Sequence, residues 1–361
     1  MQAEPSTQSA ALNPQDARLL NLLQQEVPLV DRPFAALGEA LGMSEAEVIH
    51  RIGALKAGRG VVRQISAIFD SRALGYAGSL VAAKVPEDRI DAAAAAINQH
   101  PGVSHNYRRN HAYNLWYTLA LPPDSRLGLE GTVHELHRRS GATVTRLLPS
   151  LRLYKIGVKL DLAGESDATT RADDAVFDES TRQHSAGFVP TDADKRLIRV
   201  LQQDLPAMPR PFDDWARQAH VSVDELLSAA RHYARLKVLR RFSAVLRHRA
   251  AGFSANAMGA WIVPPEQRDN FGRIAATFAA VSHCYQRPTY EDWPYSIFTM
   301  VHAPTQQECE AVLAAISAAT GIARYAALYS THEYKKVRVK YFQGDIEAWE
   351  REAMQSQAGT T

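Results

Sequence analysis

Val103-Ser104-His105-Asn106-Tyr107-Arg108-Arg109 returns later in the chain as Val281-Ser282-His283-Cys284-Tyr285-Gln286-Arg287. Five of the seven residues are identical, at an offset of 178. A repeat of this kind sets the architecture before any chemistry is considered, because it places two related modules on one polypeptide. The match extends in both directions. Asp194 to Leu205 follows Asp16 to Val27, with Gln202-Gln203 in place of Gln24-Gln25, Pro211-Phe212 follows Pro33-Phe34, and Ser222 follows Ser44. Arg240, Ser243, Ala244, Arg249, Ala250 and Gly252 follow Arg63, Ser66, Ala67, Arg72, Ala73 and Gly75 at an offset of 177. The chain is a tandem duplication, with halves of about 150 residues by the usual domain size.

Each half reads as α+β. In the first, Leu19, Leu20, Leu22 and Leu23 recur at helical spacing, and a second helix runs from Pro33-Phe34 to Gly42. Ser44 and Glu47 then form a capping box for a third helix that Gly58-Arg59-Gly60 stops. Three short helices around tight turns predict a winged helix-turn-helix. Strand patterns over 62–69 and 75–85, an Ala-rich helix over 87–99, an aromatic strand region over 105–121, a helix over 125–140 and a strand over 144–162 follow. The order β-α-β-β-α-β predicts a ferredoxin-like α/β sandwich. The expected layout is a mobile tail over 1–14, a helix-turn-helix over 15–62 and a ferredoxin-like domain over 63–162. The polar segment 163–190 reads as a flexible linker. The second half repeats the layout over 191–238 and 239–345, with a C-terminal tail over 346–361. Within the chain the two ferredoxin-like domains are expected to pair sheet to sheet as a pseudo-dimer. A homo-oligomer stays open.

Bulk properties exclude several classes. The hydrophobic fraction of 46% and charged fraction of 22% are those of a globular protein. With 41 basic and 39 acidic residues the net charge is +2, too balanced for bulk coating of nucleic acid. Cys284 and Cys309 have no CxxC spacing, so neither a zinc cluster nor a disulfide framework is expected. The N-terminus lacks a basic start and an apolar stretch, and no apolar run reaches a membrane span. A reducing, cytoplasmic setting is therefore expected, with no membrane partner.

Three groups of residues look chemical. In 105–118 two His, two Arg and three Tyr fall within fourteen residues. On a strand, His105, Tyr107, Arg109 and His111 would share one face. Such a face offers proton donors and anion-binding groups, although a half-exposed strand with aromatic cross-strand pairs would also use them. In the counterpart, His283, Tyr285 and Arg287 persist, but His111 has no equivalent. The loop there is Pro-bounded and about three residues longer, since the offset rises to 181 at Thr299. The third group is basic: Arg63, Arg240, Arg241, Lys155 and Lys335 recur beside the aromatic segments. Singly, each suits a solvated strand edge; recurrence in both halves suits an anionic ligand.

A helix-turn-helix followed by a ferredoxin-like domain resembles the Lrp/AsnC regulators. The third helices offer His50, Arg51 and Lys56, and Arg231, His232 and Arg235, but Glu45, Glu47, Asp224 and Glu225 near their N-termini would repel phosphates. Two unlike modules on one chain also lack the two-fold symmetry of a palindromic operator. DNA is thus a disfavoured partner.

His111, followed by Tyr113-Asn114-Leu115-Trp116-Tyr117-Thr118, resembles the HxYNLWFT-type signature of the siroheme decarboxylases, with Tyr117 in place of the usual Phe. These are the Ahb and Nir D, L, G and H proteins of alternative heme and heme d1 synthesis. Trp293-Pro294-Tyr295, followed by Phe298-Thr299-Met300, resembles the partner subunit's WPY signature, and Leu148-Pro149-Ser150 with Lys155 and Val158-Lys159 also fits. The resemblance covers both halves and suggests a fused D–L type arrangement. It implies an Lrp-like fold turned to catalysis: two acetate side chains of siroheme lose their carboxyl groups, giving 12,18-didecarboxysiroheme. No organic cofactor and no metal site are implied, the iron arriving with the substrate.

Such a reaction needs a general acid near the ring and a cation on the carboxylate. The roles expected are His111 as proton donor, His105 assisting, Arg108 or Arg109 anchoring the reacting acetate, and Tyr113 orienting it or relaying protons. Arg63, Lys155, Arg240, Arg241, His283, Arg287 and Lys335 are expected to bind the remaining carboxylates, and Trp116, Tyr290 and Trp293 to contact the macrocycle. Two rival readings remain: an Lrp/AsnC-type DNA-binding regulator, and a tetrapyrrole sensor in which the same His and Tyr hold heme iron.

Overall fold

The computed structural model describes residues 13–57, 60–156, 187–246 and 255–358. They fall into two units, with a boundary inside helix α6 (Asp192–Leu201). The linker expected over 163–190 lies almost wholly outside the described residues, as does the N-terminal tail up to residue 12. Among the described residues no helix is long and apolar enough to cross a membrane.

One unit holds helix-turn-helix elements of both halves. In the first half these are α1 (Pro14–Gln25), α2 (Pro33–Leu41) and α3 (Glu45–Ala57), followed by β1 (Val62–Phe69). In the second they are α7 (Asp213–Ala219) and α8 (Val223–Arg235), followed by β7 (Leu239–Leu246). The sequence places β1 at the start of the ferredoxin-like domain. Instead β1 pairs antiparallel with β7 in a separate two-stranded sheet, with Ser66 opposite its own counterpart Ser243. The symmetry extends to the connecting bonds. Val27 N–H donates to Phe242 O and Leu205 N–H to Ile65 O, each at 2.7 Å. An isologous interface has this reciprocity, here within one chain.

Three basic residues of these helices have internal uses. Arg51 pairs with Asp16 and Glu47, Lys56 pairs with Asp204, and Arg231 donates to Leu29 O.

The other unit holds the two ferredoxin-like halves. The first runs β2 (Ala77–Lys84), α4 (Ile90–Asn98), β3 (Val103–Arg109), β4 (Leu115–Leu121), α5 (Gly128–Ser140) and β5 (Val144–Pro149). The second runs β8 (Ala255–Trp261), α9 (Arg268–Thr277), β9 (Val281–Gln286), β10 (Ile297–Ala303), α10 (Gln306–Thr320) and β11 (Tyr325–Lys336). This is the expected β-α-β-β-α-β order. The halves join edge to edge as well as face to face. β11 pairs with β8 through its first part and with β3 through its second, while β6 (Arg152–Ile156) leaves the first half to pair with β9. The result is a nine-stranded sheet ordered β5-β2-β4-β3-β11-β8-β10-β9-β6. Only Ser150 and Leu151 separate its two outer strands, β5 and β6, so the sheet curls back on itself.

Paired side chains hold the exchanged strands. Tyr154 of β6 is buried against α9, where a Cβ on Gly272 would lie 2.4 Å from its ring. Lys155 donates to Phe278 O at the C-terminus of α9, and Lys335 donates to Asn98 O and His100 O at the end of α4. Carbonyls at a helix C-terminus attract cations. Both lysines therefore spend donors on helix ends, a structural use that the sequence did not suggest beside the expected one of binding substrate.

Residues 346–361, read as a tail, begin with a helix instead: α11 (Asp345–Ala358). Trp349 and Ala353 join the core of the first half with Leu136 and Ile97. Buried Glu350 accepts from Ser125 Oγ and from the N–H groups of Arg126 and Leu127, satisfying donors at the start of α5. Ile346, Trp349 and Ala353 give the helix its apolar stripe, but the surrounding Glu, Gln and Ser mask it in sequence. Trp349→Ala is expected to cost about 3–5 kcal/mol, as for other buried Trp truncations. The urea midpoint should fall accordingly, and an unchanged midpoint would show that α11 does not contribute to the core.

Candidate active site

The inner face of the curled sheet carries aromatic residues from both halves. Trp116, Tyr113, Trp293, Phe298, Met258 and Leu328 pack there in one cluster. His105, Tyr107 and Arg109 share a face of β3, as expected, and Tyr107 stands opposite Trp116 of β4. His111 does not join them. β3 ends at Arg109, and His111 sits in the tight loop 110–114, its N–H donating 2.9 Å to Arg109 O.

Polar groups in and beside that loop have local tasks. Asn114 clamps the end of β2, donating to Val85 O and accepting from Val85 N–H at 2.8 and 3.0 Å. Asn110 accepts from Tyr329 N–H at 2.7 Å. Trp116 Nε1 donates to Tyr113 O at 2.6 Å. Tyr113 N–H donates to His111 Nδ1 at 3.0 Å, so a neutral His111 carries its proton on Nε2. The signature around His111 is therefore a device for holding one imidazole.

The second half's loop completes the enclosure. Ser296 replaces Asn114, bonding Val263 as Asn114 bonds Val85. The extra residues form a tight reversal in which Tyr290 and Trp293 exchange backbone hydrogen bonds of 2.8 and 3.0 Å. Trp293 lies edge-on to His111 at 5.3 Å between centroids, and Tyr295 at 6.3 Å. Asp292 accepts from Tyr113 OH at 2.6 Å and from Arg146 Nε at 3.0 Å, with Lys84 Nζ at 3.7 Å. Lys84 also lies 4.5 Å over the Tyr113 ring. The half that lacks His111 thus supplies the wall beside it.

The electrostatics follow from these contacts. Burial, and then the Lys84 ammonium, hold the His111 imidazole below the usual histidine range. The Arg146 hydrogen bond, and then that of Tyr113, bring the Asp292 carboxyl down to about 2. Burial, together with the bond to Asp292, pushes the Tyr113 hydroxyl up to about 12. Arg109 is buried, donates to Leu328 O at 3.0 Å, and leaves Nε without a partner. Arg287 repeats this arrangement against Leu148 O. Burial brings each guanidinium down to about 10. Among the described residues no carboxylate pairs with either arginine. Tyr107 and Tyr285 lend them ring faces at 5.7 and 4.9 Å.

An open cleft of about 670 Å³ adjoins His111, lined also by Arg108, Arg109, Asp91, His332 and Tyr334. Glu87 lines it too and pairs with Arg108 at 2.5 Å, while Tyr334 OH donates to Asp91. The structure therefore brings together His111, Arg108 and Arg109. His105 and His283 lie further along β3 and β9, with Nδ1 on Ser104 and Ser282 hydroxyls at 3.0 and 2.8 Å.

Several expected contacts change. Trp116 and Trp293 are fully buried in the core, so they shape the site from beneath and do not lie flat on a ligand. Tyr290 uses its hydroxyl on Leu147 O, under Arg146. Tyr113 is buried and its hydroxyl donates to the Asp292 carboxylate, so that hydroxyl is already engaged within the protein. Arg63, Arg240 and Arg241 lie on β1 and β7, in the other unit. Asp292, Arg146, Lys84 and His332 were missed. Only Asp292 had a sequence signal, its place next to Trp293-Pro294-Tyr295.

Comparison with known proteins shows the family of the chain. A model of the siroheme decarboxylase NirDL-like HTH domain matches residues 16–63 and 194–240, and one of the AsnC-like ligand binding domain matches 73–155 and 250–335. The siroheme decarboxylase of Hydrogenobacter thermophilus is 40% identical over 93% of this chain and 97% of its own length. The chain belongs to the siroheme decarboxylase family. A crystal structure of the siroheme decarboxylase NirDL in co-complex with an iron-uroporphyrin III analogue covers 95% of this chain and 99% of that one. It superposes with a TM-score of 0.74 at 34% identity. The siroheme decarboxylase beta subunit of Methanosarcina barkeri is 42% identical over 41% of this chain and 97% of its own length. In this family a half-length subunit corresponds to one half of the duplicated chain.

Lys84→Met removes the cation that disfavours protonated His111. The His111 pKa should rise, read from the imidazole resonances in an NMR titration. An unmoved resonance would leave burial as the whole cause.

Proposed function

We propose that this chain is a siroheme decarboxylase that removes carboxyl groups from two acetate arms, giving 12,18-didecarboxysiroheme for heme d1 or alternative heme synthesis. The observation that carries the proposal is the cleft where a half-buried imidazole meets Arg109, a buried guanidinium with no carboxylate partner among the described residues. An unpaired buried cation is costly, and an anionic substrate arm would complete it.

At each arm the bond from carboxylate carbon to methylene breaks, and carbon dioxide leaves. The electron pair passes into the protonated adjacent ring, and one proton is delivered to make the methyl group. His111 is the proton donor in this reading: charged by a proton from solvent, it delivers one proton to the methylene carbon and returns to the neutral ring, whose Nδ1 accepts from Tyr113 N–H. Arg109, with Arg108 at the rim, holds the reacting carboxylate. The macrocycle itself takes up the electrons, so the reading needs no organic cofactor, and the iron belongs to the substrate. Free, buried Cys284 and Cys309 suit a reducing cytoplasm. The internal pairing of Arg51, Lys56 and Arg231 weakens the DNA-binding alternative, since each phosphate contact needs a free cation.

His111→Gln, incubated anaerobically with siroheme, should bind the substrate while turnover falls about 10²–10⁴-fold, the usual loss for a general acid. Binding is read from the absorbance of the macrocycle and turnover from the mass of the product. A wild-type rate of carbon dioxide loss would remove His111 from the mechanism. A spectral shift without mass loss in the wild-type chain would favour a tetrapyrrole sensor.

A further inference from the structure

We propose that Asp292, delivered by the second half, is a positioning residue for decarboxylation at His111, acting through the hydroxyl and backbone of Tyr113. The proposal rests on the reading of His111 as proton donor and adds a residue from the opposite half to it.

Asp292 stands at the tip of the reversal between Tyr290 and Trp293 and faces three groups of the first half. Tyr113 OH donates to Oδ2, Arg146 Nε donates to Oδ1, and Lys84 lies against the same carboxylate. Tyr113 in turn presents its backbone N–H to His111 Nδ1 and stacks near the ring, with 6.3 Å between centroids. The path from Asp292 to the imidazole therefore has two links, both hydrogen bonds. The adjacent Trp293 closes the other side of His111.

The network is poorly placed to serve stability alone. Side chains of Asp292, Arg146 and Lys84 are each 32% exposed, and exposed ion pairs contribute little to folding. Geometry at a reacting group is more demanding, since a displacement of about 1 Å can cost on the order of 10²-fold in rate. The second half has no His111, and its longer loop is what carries Asp292 to the first half's catalytic loop. Loss of the histidine from one copy and gain of the brace there are two sides of one division of labour.

The test is a double-mutant cycle on the full chain with siroheme under anaerobic conditions. Asp292→Asn is expected to lower kcat about tenfold or more, with the Kd for siroheme within about twofold of wild type. Tyr113→Phe should do the same. The double variant should be no slower than the worse single, because both changes cut one path. Asp292→Glu, which keeps the charge, should restore part of the loss. Wild-type kcat in Asp292→Asn, or single losses that multiply in the double variant, would overturn the proposal. If the Asn variant does not fold, Tyr113→Phe carries the test, and its wild-type kcat overturns the assignment equally. His111→Gln is measured alongside. An active His111→Gln chain overturns both the proton-donor reading and its brace, whereas an inactive one beside fully active Asp292→Asn and Tyr113→Phe chains overturns the brace alone.

Discussion

The edge strands β3 of one ferredoxin-like half and β9 of the other are each closed by the last strand of the opposite half. An open edge is a row of unsatisfied N–H and C=O groups, so the exchange removes a liability and binds the halves together. β6 on β9 and β11 on β3 are the two instances. The other contacts between the halves follow from them. Arg109 reaches Leu328 O because β11 lies beside β3, and Arg287 reaches Leu148 O by the same relation in reverse. Tyr154 against Gly272, and Lys155 and Lys335 at their helix ends, exist only because each strand has crossed over.

Within that near-symmetric frame, one loop pair breaks the symmetry. Asn114 and Ser296 perform the same clamping on Val85 and Val263, so the two loops start from equivalent anchors. Between anchor and strand, one loop presents His111 and the other presents Asp292, Trp293 and Tyr295. Curling of the sheet brings these together although they are far apart in the chain; Tyr113 and Asp292 are 179 residues apart. The site is thus built from unlike parts of two related modules. A chain with two identical halves would offer either two histidines or two walls.

Much of the fold was legible. The repeat of VSHxYxR exposed the duplication, and alternating patterns exposed β-α-β-β-α-β, because both depend on local spacing. The motif beginning at His111 was legible for the same reason: every residue that holds the imidazole within the loop lies within a few positions of it. Legibility failed where the cause was long-range. The helix-end bonds of Lys155 and Lys335 were not legible, because a cation in sequence does not announce that a helix end will stand beside it. β1 read as part of the sandwich because a strand pattern does not name its partner, and β7 lies in the opposite half. α11 read as a tail because its stripe of Ile346, Trp349 and Ala353 is narrow and its other faces are polar.

By itself the sequence determined the two-fold repeat, the class of each half, and the chemical inventory around His111, since these rest on periodicity and on residue type. Tertiary structure decided which cations remain for a ligand and which are consumed by carbonyls and carboxylates. It also decided that Asp292, Arg146 and Lys84 stand beside Tyr113. The physical reason is that hydrogen bonds and charge pairs act over a few ångströms in space, whereas sequence patterns report only neighbours along the chain. Strand exchange converts one kind of proximity into the other.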